Sequence, residues 1–205
     1  SEFRKALTAG FEAAQIVLNG PGKWWPSTTR EQTMVHAIFC DSLDELRWLI
    51  SRLGKGTCEA YFIGIRLRPL QFQSRFGIPI GDLKSFQELI SLIKKIPSRY
   101  SFGILFHIPS SVIGVEQWFQ LYDSILAWAK AIETTSKVKI RCIDVGGGWF
   151  PDDWFDVLLP RLGDLVEKAL RNLPSLERFI LEPGKALAQS AVVLLTRVLE
   201  VRQSD

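Results

Sequence analysis

No stretch of this chain is apolar for long enough to read as a membrane span; the longest candidates, near the C-terminus, are broken by Thr196 and Arg197. Ser1-Glu2-Phe3-Arg4-Lys5 lacks the apolar core of a signal peptide. Cysteine is scarce, and Cys40, Cys58 and Cys142 lie far apart without metal-ligand spacing. That excludes a disulfide framework and a cysteine metal site, and predicts structural thiols in a reducing, cytoplasmic compartment. Strong charge is also missing. A net charge of +3 is too mild to imply a nucleic-acid or membrane partner.

The remaining composition, 47% hydrophobic and 23% charged over 205 residues, is that of a globular domain or part of a larger one. Short apolar runs alternate with helical stripes. Strands are predicted at Ile16, Met34, Tyr61, Phe102, Lys139 and Phe179. A helix with Phe3 and Leu7 on one face precedes them. Leu43, Leu46, Leu49, Ile50 and Leu53 share a face behind the capping box of Ser42 and Glu45. Phe86 to Ile96 and Trp118 to Ile132 form further stripes. The pattern from Phe155 to Leu170 is helical but must kink or break at Pro160. Arg68 to Gly81 reads as a polar loop, and Val192 to Val201 as a strand leaving the repeat.

Repeated β-loop-α units imply a parallel sheet, and the near-continuous apolar strands imply burial on both faces. An open doubly wound sheet and a (β/α)8 barrel both satisfy this. A barrel needs eight strands and about 250 residues. The strands found here fit a barrel lacking its first two β/α units, and the chain opens mid-pattern on a helix.

Either architecture binds ligands beyond the C-terminal ends of the strands. There the sequence places Arg66, then His107 with Ser110, then Asp144 with Gly146, Gly147 and Gly148, then Glu182 with Gly184 and Lys185. One such residue alone is a core histidine or a turn aspartate; their recurrence at one end of successive strands points to a site. Three adjacent glycines are costly unless the backbone turns sharply or lies against something, such as a phosphate. A serine hydroxyl suits the same phosphate. A carboxylate can keep a ring nitrogen protonated, and an imidazole can stack on a flat ring, which together describe a pyridoxal phosphate (PLP) site. A dinucleotide fingerprint would need a third, spaced glycine where Pro151 intervenes.

These residues carry a resemblance. Asn19-Gly20-Pro21-Gly22-Lys23 resembles the N-G-P-x-K turn of the fold-type III PLP-dependent decarboxylases, the ornithine, arginine and diaminopimelate decarboxylase group. Cys40 to Leu46 is similar to the group's V-D-S-x-x-E-L step, and Ser74 to Ile78 to its S-K-F-G-I segment. Phe106 to Ser111 resembles F-H-I-G-S-Q, Ile143 to Gly148 resembles L-D-I-G-G-G-F-P, and Leu181 to Lys185 resembles x-E-P-G-R. The last two motifs, in this order and spacing, are highly specific.

The resemblance implies an alanine-racemase-like barrel over residues 1–190, with 191–205 starting the strand toward a C-terminal β-domain. It implies that His107 stacks on the cofactor ring, that Ser110 and Gly146 to Gly148 hold the phosphate with help from Gly184 and Lys185, and that Glu182 pairs with the pyridine nitrogen. Arg66 matches a barrel arginine near the site, and Asp144 orients its neighbours. The implied protein is a cytoplasmic homodimer acting on an amino acid such as ornithine, lysine or diaminopimelate. The family's Schiff-base lysine lies on a first barrel strand that this chain lacks, so no residue takes that role and the span alone is expected to be inactive. Pro109, Lys185, Arg75 and the inserted Trp149 depart from the family pattern. The departures keep open a non-catalytic homologue, similar to antizyme inhibitor, that binds a protein instead of substrate.

Overall fold

A computed structural model describes residues 2–21, 34–55, 59–72 and 74–191. Cys58, Gly22-Lys23 of the first turn motif and the strand expected from Val192 lie outside the described residues. The helix α1 (Glu2–Thr8) comes first, followed by the short strand β1 (Val17–Leu18). Then come β2 (Met34–Cys40), α2 (Leu43–Arg52) and β3 (Glu59–Pro69). The strand β4 (Ile78–Ile80), helix α3 (Leu83–Ile93) and strand β5 (Ser101–Leu105) follow. A single turn, α4 (Ser110–Ile113), leads into the long α5 (Val115–Ser136). The rest is β6 (Ile140–Gly147), α6 (Leu162–Asn172), β7 (Arg178–Glu182) and the short α7 (Gly184–Ala188).

All the pairings are parallel, in the order β1-β2-β3-β5-β6-β7, with β4 attached to β3. The sheet curls into a half-barrel with helices outside, and the α/β barrel class expected from the sequence holds. The expected loop from Arg68 to Gly81 needs correction. β3 runs on to Pro69, and Leu67 to Pro69 pair with Ile78 to Ile80. Alternating burial of Ile78 and Ile80 gives that short segment a sheet face the polar composition concealed.

The two faces of the sheet carry separate cores. Outside, Ile38, Ile63, Ile65, Ile104 and Ile143 meet the helices; inside, Ala37, Phe39, Phe62, Leu105 and Cys142 fill the lumen. On the helix side, Trp118 stacks on Tyr122 with ring centroids 5.8 Å apart, and the Tyr122 hydroxyl donates to the Leu165 carbonyl at 2.7 Å. That bond ties α5 to α6. Ser42 accepts from the Glu45 N–H at 3.1 Å, while the Glu45 carboxylate accepts from the Asp41 N–H at 2.7 Å, so α2 is capped from both sides. Pro160 acts as expected: Asp153–Leu158 is π-wound and Leu159–Arg161 is a 3-10 turn, and regular helix starts only at Leu162. Among the described residues no helix is long and apolar enough to cross a membrane.

Candidate functional site

The inward alternation of each strand brings its last polar residue to one rim. Arg66 ends the lumen side of β3. Its guanidinium donates to the His107 carbonyl at 3.1 Å, lies 3.6 Å from the buried Asp41 carboxylate, and sits 5.5 Å from the Phe76 ring. The segment around Phe76 therefore supports Arg66; Gly77 also donates to the Asp41 carbonyl at 3.1 Å.

His107 follows β5, and its Nδ1 is 3.0 Å from Glu182 Oε2 at the end of β7. The other oxygen of Glu182 accepts from Asn19 Nδ2 at 2.7 Å. Asn19 follows β1. Because β1 and β7 terminate the strand order at opposite ends, this one bond joins the two edges of the arc. Between them, on β6, Asp144 is fully buried and its Oδ1 accepts from the Gly146 N–H at 2.8 Å. Its Oδ2 is buried without a hydrogen bond.

The two carboxylates are driven apart. Burial first, then the adjacent Glu182 charge, push Asp144 up to about 7. The hydrogen bond from His107 holds Glu182 below the usual carboxylate range, against its own desolvation. The rim thus keeps one ionised carboxylate paired with an imidazole and, beside it, a carboxyl poised to be neutral. Burial, followed by the Asp144 charge, raises the neighbouring Cys142 thiol to about 12. Cys142 and Cys40 are both buried, as suits inert structural thiols.

The three glycines are shaped by the protein itself. The register of β6 against β7 shifts between Asp144 and Gly147. Gly146 (φ +69°) presses on the Phe106 carbonyl and the His107 backbone. At Gly147 a Cβ would overlap the Glu182 carbonyl, and at Gly148 (φ +85°) it would come 2.6 Å from Pro109. The close approach expected of this stretch is therefore real, but its first partners are β7, His107 and Pro109. By contrast, a Cβ at Gly184 would meet nothing within 4 Å.

Trp149, the inserted residue, turns away from the rim. It is fully buried against Trp154 and Trp118, with centroids 5.1 and 5.7 Å away. Ser110 is buried and donates to Asp153 Oδ2 at 2.9 Å, and Lys185 Nζ lies 3.8 Å from the Phe150 ring centroid. Of the ten residues expected at the site, Glu182 ends β7, Gly146 and Gly147 close β6, Arg66 and Asp144 lie three residues before a strand's end, and the others lie in or just after the loops that follow. Asn19, Asp41 and Asp153 join them unforeseen. Asn19 was visible as a polar residue ending a strand; Asp153 reaches the rim only through the π-wound turn, which leaves no spacing signal.

No family model matches the chain. Diaminopimelate decarboxylase of Archaeoglobus fulgidus is 27% identical over 225 residues, covering 98% of this chain and 51% of that protein. In sequence and fold the chain is similar to the fold-type III PLP-dependent decarboxylases. It spans about half the length of the curated relatives it matches. In fold it is similar to the arginine decarboxylase of Paramecium bursaria Chlorella virus bound to agmatine, with a TM-score of 0.60, 18% identity, and coverage of 90% of this chain and 49% of that one. It is likewise similar to a structure of SrLDC with PLP and cadaverine, at TM-score 0.60 and 16% identity, covering 91% of this chain and 46% of the other. The half-barrel corresponds in fold to part of the barrel in these structures.

The donor set fits the ring of PLP: an ionised Glu182 for a protonated nitrogen and an imidazole for a ring face. At the far end, where Ser110, Gly148, Gly184 and Lys185 are expected from the sequence to hold a phosphate, Asp153 already holds the serine hydroxyl, Gly148 lies against Pro109 and Lys185 lies over the Phe150 ring.

Proposed function

We propose that this chain is the PLP-binding half-barrel of an amino-acid decarboxylase, acting on an amino acid such as diaminopimelate, lysine or ornithine. One observation carries the reading. Glu182 is held ionised by His107 at 3.0 Å at the end of β7, and an ionised carboxylate is what a cationic ring nitrogen in a partly buried site requires. When bound, PLP supplies an electron sink for the pair released as an α-carboxylate leaves.

The protein's own part is positioning. Glu182 would accept a hydrogen bond from the protonated ring nitrogen and favour keeping the proton there. Asn19 fixes the second oxygen of that carboxylate, so its plane is set before any ligand arrives. His107 is steered by the same carboxylate and by Arg66, which grips its carbonyl. Asp144 accepts from the Gly146 N–H and so fixes the start of the glycine loop beside Glu182. A carboxylate opposite the ring nitrogen favours loss of carbon dioxide over racemisation, for which the ring is better left unprotonated. Ser110, Gly146 to Gly148, Gly184 and Lys185 form the phosphate end. The resemblance also supports a cytoplasmic homodimer.

The test is to express this chain with the lysine-bearing strands of its full-length protein. PLP absorbance together with carbon dioxide release from a basic or dicarboxylic amino acid is the expected result. Bound PLP without release from any of these would sink the decarboxylase reading. The non-catalytic, protein-binding alternative gains from the Ser110–Asp153 contact, and full-length protein with no absorbance near the Schiff-base band would favour it.

A further inference from the structure

The phosphate end of the rim contains a carboxylate that a phosphate site does not need. Ser110, only 2% exposed, spends its hydroxyl proton on Asp153 Oδ2 at 2.9 Å. Asp153 has no ion-pair partner among the described residues, so nothing there neutralises it. Its position is built in. It opens the π-wound turn Asp153–Leu158, whose Trp154 and Leu158 are buried, and the Trp154 N–H is fixed to the Phe150 carbonyl at 3.0 Å. The neighbouring groups are committed as well. Gly148 packs on the Pro109 ring, whose nitrogen has no proton to offer, and the Lys185 ammonium rests on the Phe150 ring rather than pointing to an anion.

We infer that Asp153 is a resident counter-anion which makes this seat discriminate against a phosphate dianion, so that a pyridoxal-type ring is held mainly by its Glu182 end. The inference rests on the cofactor reading above. A phosphate ester brings a charge of about −1.5 to −2 at neutral pH. It would compete with Asp153 for one hydroxyl donor and be repelled by the same carboxylate at short range. A ligand with a neutral hydroxymethyl group in place of the ester meets no such repulsion.

Inorganic phosphate, titrated by phosphorus NMR against the 205-residue chain, D153S and D153N, tests this directly. D153N keeps the side-chain volume and an acceptor for Ser110, so it remains informative if serine disturbs the turn. Both variants should bind phosphate at least about ten-fold more tightly than the parent. Calorimetry with pyridoxine and pyridoxine 5′-phosphate, which lack the aldehyde and form no adducts with surface lysines, completes the test. The parent should bind the two within a few-fold of each other. D153S should gain about ten-fold for the phosphorylated ligand and nothing for the other. Equal phosphate affinity in all three proteins would overturn the inference. So would a parent preference of more than about a hundred-fold for the phosphorylated ligand that D153S leaves unchanged. If phosphate binding rises in the variants but neither pyridoxine compound binds any of them, the role of Asp153 stands and the cofactor reading fails.

Discussion

The rim has two ends that differ in how they are held. At the β6–β7 end every group answers to another: Glu182 to His107 and Asn19, Asp144 to Gly146, and Gly147 to the Glu182 backbone. At the other end Gly184 faces open space, Lys185 rests on a ring, and Ser110 is held by a carboxylate. The first end is therefore part of the fold, and most of its contacts are also contacts of the sheet. The second leaves room, and what it binds depends on a few replaceable side chains.

Substitutions at the glycines break this comparison most sharply. Gly147→Ala should destabilise the chain by at least about 3 kcal/mol, because its methyl group overlaps the β7 backbone, which no rotamer change can relieve. Urea unfolding measures it; a loss below about 1 kcal/mol would show that β7 can move aside. Asp144 comes next, and its effect depends on pH. Its pKa rises on folding from 3.8 to about 7, so the folded chain binds the extra proton in between. Stability attributable to this group accordingly increases as pH falls from about 7 to 3.8, and the penalty is greatest and nearly constant above 7. The depressed Glu182 works in the opposite sense only below its ordinary value of 4.5. Asp144→Asn should remove the penalty, stabilising the chain clearly more at pH 8 than at pH 5, with the gain vanishing only below about pH 4. A gain equal at both pH values would contradict the assignment.

Asn19→Ala removes the bond between the edge strands and should cost about 1 kcal/mol. Hydrogen exchange at the Val17–Leu18 and Ile180–Glu182 amides should then rise more than exchange in β5; uniform exchange would mean the tie carries no load. The smallest effect belongs to Gly184→Ala, where the new methyl group meets nothing. Unfolding should shift by less than about 0.5 kcal/mol. If the same variant weakens pyridoxine binding, the open space is a ligand's place.

The order of strands and helices was legible because buried parallel strands are apolar runs and the helices between them carry a stripe. β4 was not, since three residues with a proline inside a polar stretch give no periodicity to read. Placement near one end of the sheet was legible for Arg66, His107, Asp144 and Glu182, although Arg66 and Asp144 sit three residues inside their strands. It failed where position depends on irregular winding. Asp153 reaches Ser110 because Pro160 spoils the regular helix, and the resulting register of the turn cannot be read from the residues. The glycines were read for closeness to a ligand, whereas contact between β6 and β7 already requires the middle one.

The inserted tryptophan makes the loop observable by light. Trp149 follows Gly148 directly, and its indole is fully buried beside those of Trp154 and Trp118. A shift of the loop that carries Gly148 must move one ring of this cluster relative to the others or let water reach it. The emission of the chain should therefore redden or change in yield whenever the seat between Ser110 and Lys185 rearranges, and the protein needs no added label to report the state of its own rim.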